Sequence, residues 1–169
     1  VVLANETNFD FDVDDPWTIS FWIKTAGTNG QLFSKGGRYG WAGKGFGLQY
    51  SSGYGRIIFV SSTSTTGSNY LLLRLGNYAT INDSNWHHVV VTYDGVTNSG
   101  VPQASSFKTY EDGGTAITAT VIATNTSTTG GWLNNDGATI GNTSGALSNT
   151  YFTGELDDYR IYNRELSST

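Results

Sequence analysis

The sequence predicts an all-β protein, folded as a two-sheet antiparallel β-sandwich. Three observations lead there. Short runs of β-branched and aromatic residues recur between clusters of Gly, Ser, Thr, Asn and Asp, in a 169-residue chain with 22 glycines and 14% aromatics. Within the runs apolar and polar residues alternate, the period-two pattern of a strand with one buried face. Helix signals are scarce, and about ten short strands suffice for two stacked sheets.

Residues 1–3 (VVL) read as the tail of a strand, followed by an acidic loop over 5–15 that Pro16 closes. In 17–24 (WTISFWIK), Trp17, Ile19, Phe21 and Ile23 form one apolar face, and Thr18, Ser20, Trp22 and Lys24 the other. A short strand at 31–34 precedes a glycine-rich loop over 35–45. Further strands are expected at 46–50, 56–61 and 70–75, with a polar loop over 61–69. Residues 85–95 (NWHHVVVTYDG) read as one long strand running into a turn, with Trp86, His88, Val90 and Thr92 on one side and His87, Val89, Val91 and Tyr93 on the other. Large apolar groups on both sides predict a central, doubly covered strand ending in the Asp94-Gly95 turn. Strands at 106–111 and 115–123 flank the hairpin turn Asp112-Gly113-Gly114; a loop over 125–136, a short strand at 138–141 and a closing strand from 151 complete the chain. Trp17, Phe21, Trp86 and Tyr93 are expected in the core.

Composition excludes several classes of function. A formal net charge of −5 gives no electrostatic footprint for nucleic acid or an anionic membrane surface. No apolar run of about 18 residues is present, so no membrane-inserting helix is expected. Zero cysteines exclude disulfides, thiolate catalysis and cysteine-ligated zinc. His87 and His88 are adjacent, so a regular strand points them to opposite faces and they cannot share an ion. One is expected to be a buried polar spacer and the other a surface group. The glycines of 36–45 suggest a nucleotide loop, but a strand rather than a helix follows them. The Asn-x-Ser/Thr sequons at Asn5, Asn82, Asn125 and Asn142 are no more than this composition gives by chance.

Four stretches in order, 17–24 (WTISFWIK), 85–95 (NWHHVVVTYDG), 107–113 (FKTYEDG) and 154–166 (GELDDYRIYNREL), resemble the laminin-G-like jelly roll of the concanavalin A-like lectin/glucanase superfamily. The resemblance covers nearly all of residues 1–169. It implies a single domain, excised from a longer chain with its first strand partly missing, and often a module of a secreted or surface protein. It does not fix an activity, since the fold hosts lectins, adhesion modules and hydrolases alike.

The hydrolases of this superfamily carry Glu-x-Asp-x-x-Glu or Glu-x-Asp-x-Glu on one strand. A retaining mechanism needs two carboxyl groups roughly 5 Å apart across the scissile bond. Glu155-Leu156-Asp157 begins that pattern, but Tyr159 and Arg160 stand where the last acid belongs. The expectation is no enzyme.

The resemblance also implies that calcium is a possible structural cofactor. Asp10 and Asp12 alternate in the acidic loop, either as cation ligands or as a solvated turn; they do not match an EF-hand, which needs Gly at its sixth position. Asp157 alternates with the core-facing Tyr159 and Ile161, so it is read as a structural acid or a calcium ligand. For a carbohydrate, the useful groups are loop aromatics and polar forks: Arg38, Tyr39 and Trp41 in the glycine-rich loop, Tyr54 in the next turn, and Trp132. The reading is a non-catalytic carbohydrate-binding or adhesion module, its partner a glycan or polysaccharide, at an extracellular, cell-surface or virion-surface location. The alternative is a structural module, such as a surface or virion decoration domain, whose partner is a surface protein.

Overall fold

In the computed structural model the alternation of residues 17–24 is realised as β1 (Trp17–Lys24), with Trp17, Ile19, Phe21 and Ile23 fully buried. The structure describes residues 1–27, 29–36, 44–51, 56–63, 70–76, 81–124, 131–142 and 151–167. After β1 come β2 (Asn29–Gly36), β3 (Gly45–Ser51), β4 (Arg56–Ser62), β5 (Tyr70–Leu75) and β6 (His87–Tyr93). They are followed by β7 (Thr97–Asn98), β8 (Val101–Pro102), β9 (Phe107–Glu111), β10 (Ile117–Thr118), β11 (Thr120–Thr124), β12 (Ala138–Ile140) and β13 (Glu155–Tyr162). A five-stranded sheet has the order β10-β9-β6-β1-β13, a six-stranded sheet the order β11-β5-β4-β3-β2-β12, and β7-β8 form a small ribbon.

The inner faces of the two sheets meet in one core. Trp17 stacks on Phe46 at 5.5 Å between ring centroids, Phe59 approaches Phe107 at 4.5 Å, and Tyr93 stacks on Phe107 at 4.4 Å. Each fully buried large apolar side chain contributes about 1.5–3 kcal/mol by leaving water, so this aromatic cluster is the main cohesive element. A second, smaller cluster of Ile58, Leu72, Ile122 and Ala123 covers part of the outer face of the six-stranded sheet.

Residues 1–3 do lie against a strand. Val1 and Ile140 exchange hydrogen bonds, and Leu3 N–H donates to Ala138 O, alongside β12. The expected strand over 115–123 is instead two. β10 pairs with β9 in one sheet and β11 with β5 in the other. The chain crosses between sheets at buried Ala119, whose N–H bonds Phe107 O, as a sandwich corner requires.

β6 is central in its sheet, as predicted, but among the described residues only one end of its outer face is covered. Thr92 is buried, paired with Thr18. Thr18 Oγ1 donates to Arg164 O and accepts from Leu166 N–H, fastening the C-terminal segment at that end. At the other end β6 begins at His87, and Trp86, expected in the core, is 41% exposed. Trp86 precedes the ladder, so the alternation that assigned it a buried face does not govern it.

Candidate functional site

The open end of the five-stranded sheet presents two indoles to solvent. Trp22 belongs to the outward set of β1 and is 39% exposed, beside Trp86. Together with Asp157 and Asp158 they line a depression of about 470 Å³. Trp22 pairs across the ladder with His88, their ring centroids 5.2 Å apart, and Ser20 Oγ lies 2.9 Å from His88 Nε2. Lys24 Nζ sits 5.8 Å from the Trp86 ring centroid and 2.9 Å from Glu155 Oε1, which fixes one edge of the platform. On the far side of His88 a second depression of about 570 Å³ runs over Val90, Thr92, Tyr110 and Gly113, toward Leu166. The Trp22–His88 pair therefore joins two hollows across β13, β1, β6 and β9.

The carboxylates reach this face through an irregularity in β13. The β1–β13 register slips between Ser20 and Trp22, and Asp158 takes φ +47°, so the strand carries one extra residue there. Tyr159 turns inward and stacks on Phe21 at 5.1 Å and 8°. Asp157, expected on the same side as Tyr159 and Ile161, is instead exposed opposite Trp22. The bulge inverts the alternation before it, which corrects the sequence reading of a core-facing acid. Asp158 pairs with Arg160 at 2.9 Å and Glu155 with Lys24. Among the described residues, Asp157 Oδ1 accepts a single bond, from the neighbouring Asp158 N–H, which leaves it acceptor capacity toward a ligand.

The remaining expected site residues fare differently. Arg38, Tyr39, Trp41 and Tyr54 lie outside the described residues. Trp132 is 1% exposed and packs against Phe46, Phe59 and Tyr93 at 5.2–5.7 Å, so it is a core residue and not part of a binding rim. Its backbone N–H donates to Asp12 Oδ1 at 2.7 Å, and that bond turns the loop inward. Asp12 Oδ1 also accepts from Val13 N–H, while Asp10 Oδ1 lies 2.8 Å from Lys35 Nζ. The three carboxylates considered for calcium thus have separate surroundings and do not converge. Among the described residues, no group of three or more His, Asp or Glu side chains is placed to hold a metal ion.

Both histidines are hydrogen-bonded. His87 bridges Asp112 Oδ2 at 2.8 Å and Asp83 Oδ1 at 2.9 Å, holding the 83–86 turn that carries Trp86 against the β9–β10 hairpin. Burial alone would lower the His87 pKa, but the bonds to Asp112 and Asp83 outweigh it and raise it above 6.5. Asp83 falls to about 2, through the Asn85 side chain first, then His87 and the Asn85 N–H. A raised histidine pKa means that the folded state holds the proton more tightly. The stabilisation is complete below 6.5 and is lost as pH rises through the higher folded value. Wild type should therefore lose its stability advantage over His87→Gln as pH rises through this window; paired urea melts at several pH values would read it. A constant difference would exclude the charged bridge.

Sequence reasoning passed over both indoles of the platform. For Trp22 the signal was present, a large aromatic on the polar side of a strand. For Trp86 there was none beyond the Asp83-to-Asn85 turn, where Asp83 Oδ1 accepts the Asn85 N–H and ends regular alternation.

The Laminin_G_3 family model, Concanavalin A-like lectin/glucanases superfamily, matches residues 1–169. No curated protein matches the sequence. Among solved structures, mouse laminin alpha1 chain domains LG4-5 are similar at TM-score 0.59 and 16% identity, over 96% of this chain and 39% of that one. The Ruminococcus gnavus IT-sialidase CBM40 is similar at TM-score 0.58 and 16% identity, over 98% of this chain and 86% of its own. A botulinum neurotoxin serotype D/C binding domain follows at 0.55 and 15%, over 97% and 37%. The chain thus spans about two fifths of the laminin and toxin chains, and at these identities the likeness is one of fold.

Proposed function

Because the chain belongs to the concanavalin A-like lectin/glucanase superfamily, we propose that it is a non-catalytic carbohydrate-binding or adhesion module of a larger extracellular or surface protein. The observation that carries this reading is the pair of half-exposed indoles, Trp22 and Trp86, beside the carboxylates of Asp157 and Asp158. Indole faces stack on the C–H faces of sugar rings, and a carboxylate accepts hydroxyl protons from the same ring. The second hollow beyond His88 gives room for further residues of an extended saccharide. That this fold also serves a carbohydrate-binding module and a toxin binding domain supports a binding role.

Catalysis is not part of the proposal. Glu155 is engaged by Lys24, and Arg160 and the inward-facing Tyr159 occupy the positions where a last acid would complete a hydrolase set.

Affinity electrophoresis against a panel of soluble polysaccharides tests the reading. Wild type should be retarded by at least one of them, and Trp22→Ala or Trp86→Ala should weaken retardation roughly tenfold or more, as for aromatic hot spots. Both side chains are half exposed, so the far-UV spectrum should not change. Absence of retardation by every polysaccharide, or retardation untouched in the double variant, would overturn the assignment. In the latter case Arg38, Tyr39, Trp41 and Tyr54 become the residues to substitute next.

A further inference from the structure

Lys35 is the most unusual charged group in the described structure. It belongs to β2, where its side chain is 2% exposed, although the glycines that follow it predict a loop. Its ammonium is not in a hydrophobic pocket but in a cage of oxygens. The Glu6 and Asp10 carboxylates pair with it, the latter at 2.8 Å, and it donates to Asn134 O at 3.1 Å and Asp136 O at 2.6 Å. The four oxygens come from two segments distant in sequence: the 3-10 turn at Glu6–Phe9 with its cap Asp10, and the loop before β12.

The surroundings are as specific as the cage. Asn134 Nδ2 donates to Lys35 O and to Trp132 O, while its Oδ1 accepts the Asp136 N–H. A Cβ on Gly36 would lie 2.6 Å from Asn134 Nδ2, so the loop is seated directly on β2. Two carboxylates and two main-chain carbonyls are the donor set that a hard divalent cation takes, calcium in particular. Here a lysine nitrogen stands at the centre. An ammonium supplies one positive charge and three N–H donors; these go to Glu6, Asn134 O and Asp136 O, so buried Asp10 Oδ1 is held by charge and receives no hydrogen bond among the described residues.

We infer that Lys35 is a built-in substitute for a structural cation: its ammonium occupies an oxygen cage suited to calcium, makes this junction independent of metal, and excludes the ion. The domain carries its own clamp between the N-terminal segment and the loop that bears core residue Trp132. Removing the ammonium with a short side chain leaves two buried-facing carboxylates and two carbonyls around a space, which is a cation site. Removing it with a long apolar side chain leaves the same oxygens but fills the space.

Thermal melts in excess EDTA and in excess calcium chloride test this on wild type, Lys35→Ala and Lys35→Met. Wild type should melt at the same temperature in both. Lys35→Ala should melt roughly 6–15 °C lower in EDTA, from the cost of breaking a buried ion pair, and recover most of that loss in calcium. Lys35→Met should lose a similar amount and recover none. If Lys35→Ala folds only with calcium, its unfolding on addition of EDTA reads the same linkage. Adding Glu6→Gln and Asp10→Asn to Lys35→Ala should abolish the recovery. A wild-type melting temperature that rises with calcium, or a Lys35→Ala protein indifferent to calcium, would overturn the inference.

Discussion

Trp132→Ala is expected to lower the unfolding free energy by about 3–5 kcal/mol, the range for a large aromatic truncated in a core that cannot collapse around the gap. The collapse is prevented by the neighbours. Phe46 and Phe59 from one sheet and Tyr93 from the other ring the indole. The backbone adds to the effect, because Trp132 N–H is anchored on Asp12 and Trp132 O on Asn134, so the loop cannot move inward to fill the space. Urea denaturation followed by far-UV circular dichroism would measure the loss. Retardation by polysaccharide, compared at equal folded fraction, should be unchanged. A loss under 1 kcal/mol, or a specific loss of binding in the folded protein, would return Trp132 to the ligand rim.

Gly30→Ala should be comparably severe for the opposite reason. A Cβ at Gly30 would overlap Phe152 Cα and lie 2.9 Å from both Phe152 N and Tyr151 O. These are backbone atoms of the segment entering β13, fastened by the Phe152 N–H bond to Gly141 O. No side-chain rotation relieves such a contact. The segment must lift, and overpacking of this kind costs typically 1–3 kcal/mol or more. The shift should also move β13 and the carboxylates beside Trp22, so a fall in saccharide binding is expected together with a fall in melting temperature. Unchanged stability would show that the 151–154 segment yields freely.

Much of the fold was legible because its strands obey alternation. β1 and β5 were placed to the residue, and β3, β4 and β9 to within one or two. In β1 the odd positions from Trp17 to Ile23 are all buried. Elements that break alternation were not legible. Nothing local marks Ala119 as the corner where the chain changes sheet, since both halves of 115–123 favour strand equally. The candidate site suffered most, because it depends on two such breaks, the end of regular pairing before His87 and the inserted residue at Asp158. Lys35 was misplaced because its glycine neighbours signal a loop, whereas the oxygens that bury it come from residues some 25 positions earlier and 100 positions later. A charged residue in a strand reads as solvated until its partners are known.

The inserted residue at Asp158 has an effect on the molecule's neighbours as well as on its own surface. β13 lies at the margin of the five-stranded sheet, and a flat, apolar margin would offer a row of backbone donors and acceptors to a second chain. The left-handed residue bends that row, and Glu155, Asp157, Asp158 and Arg160 surround it with charge. One extra residue thus removes the flat, regular edge that a second copy would need for edge-to-edge strand pairing.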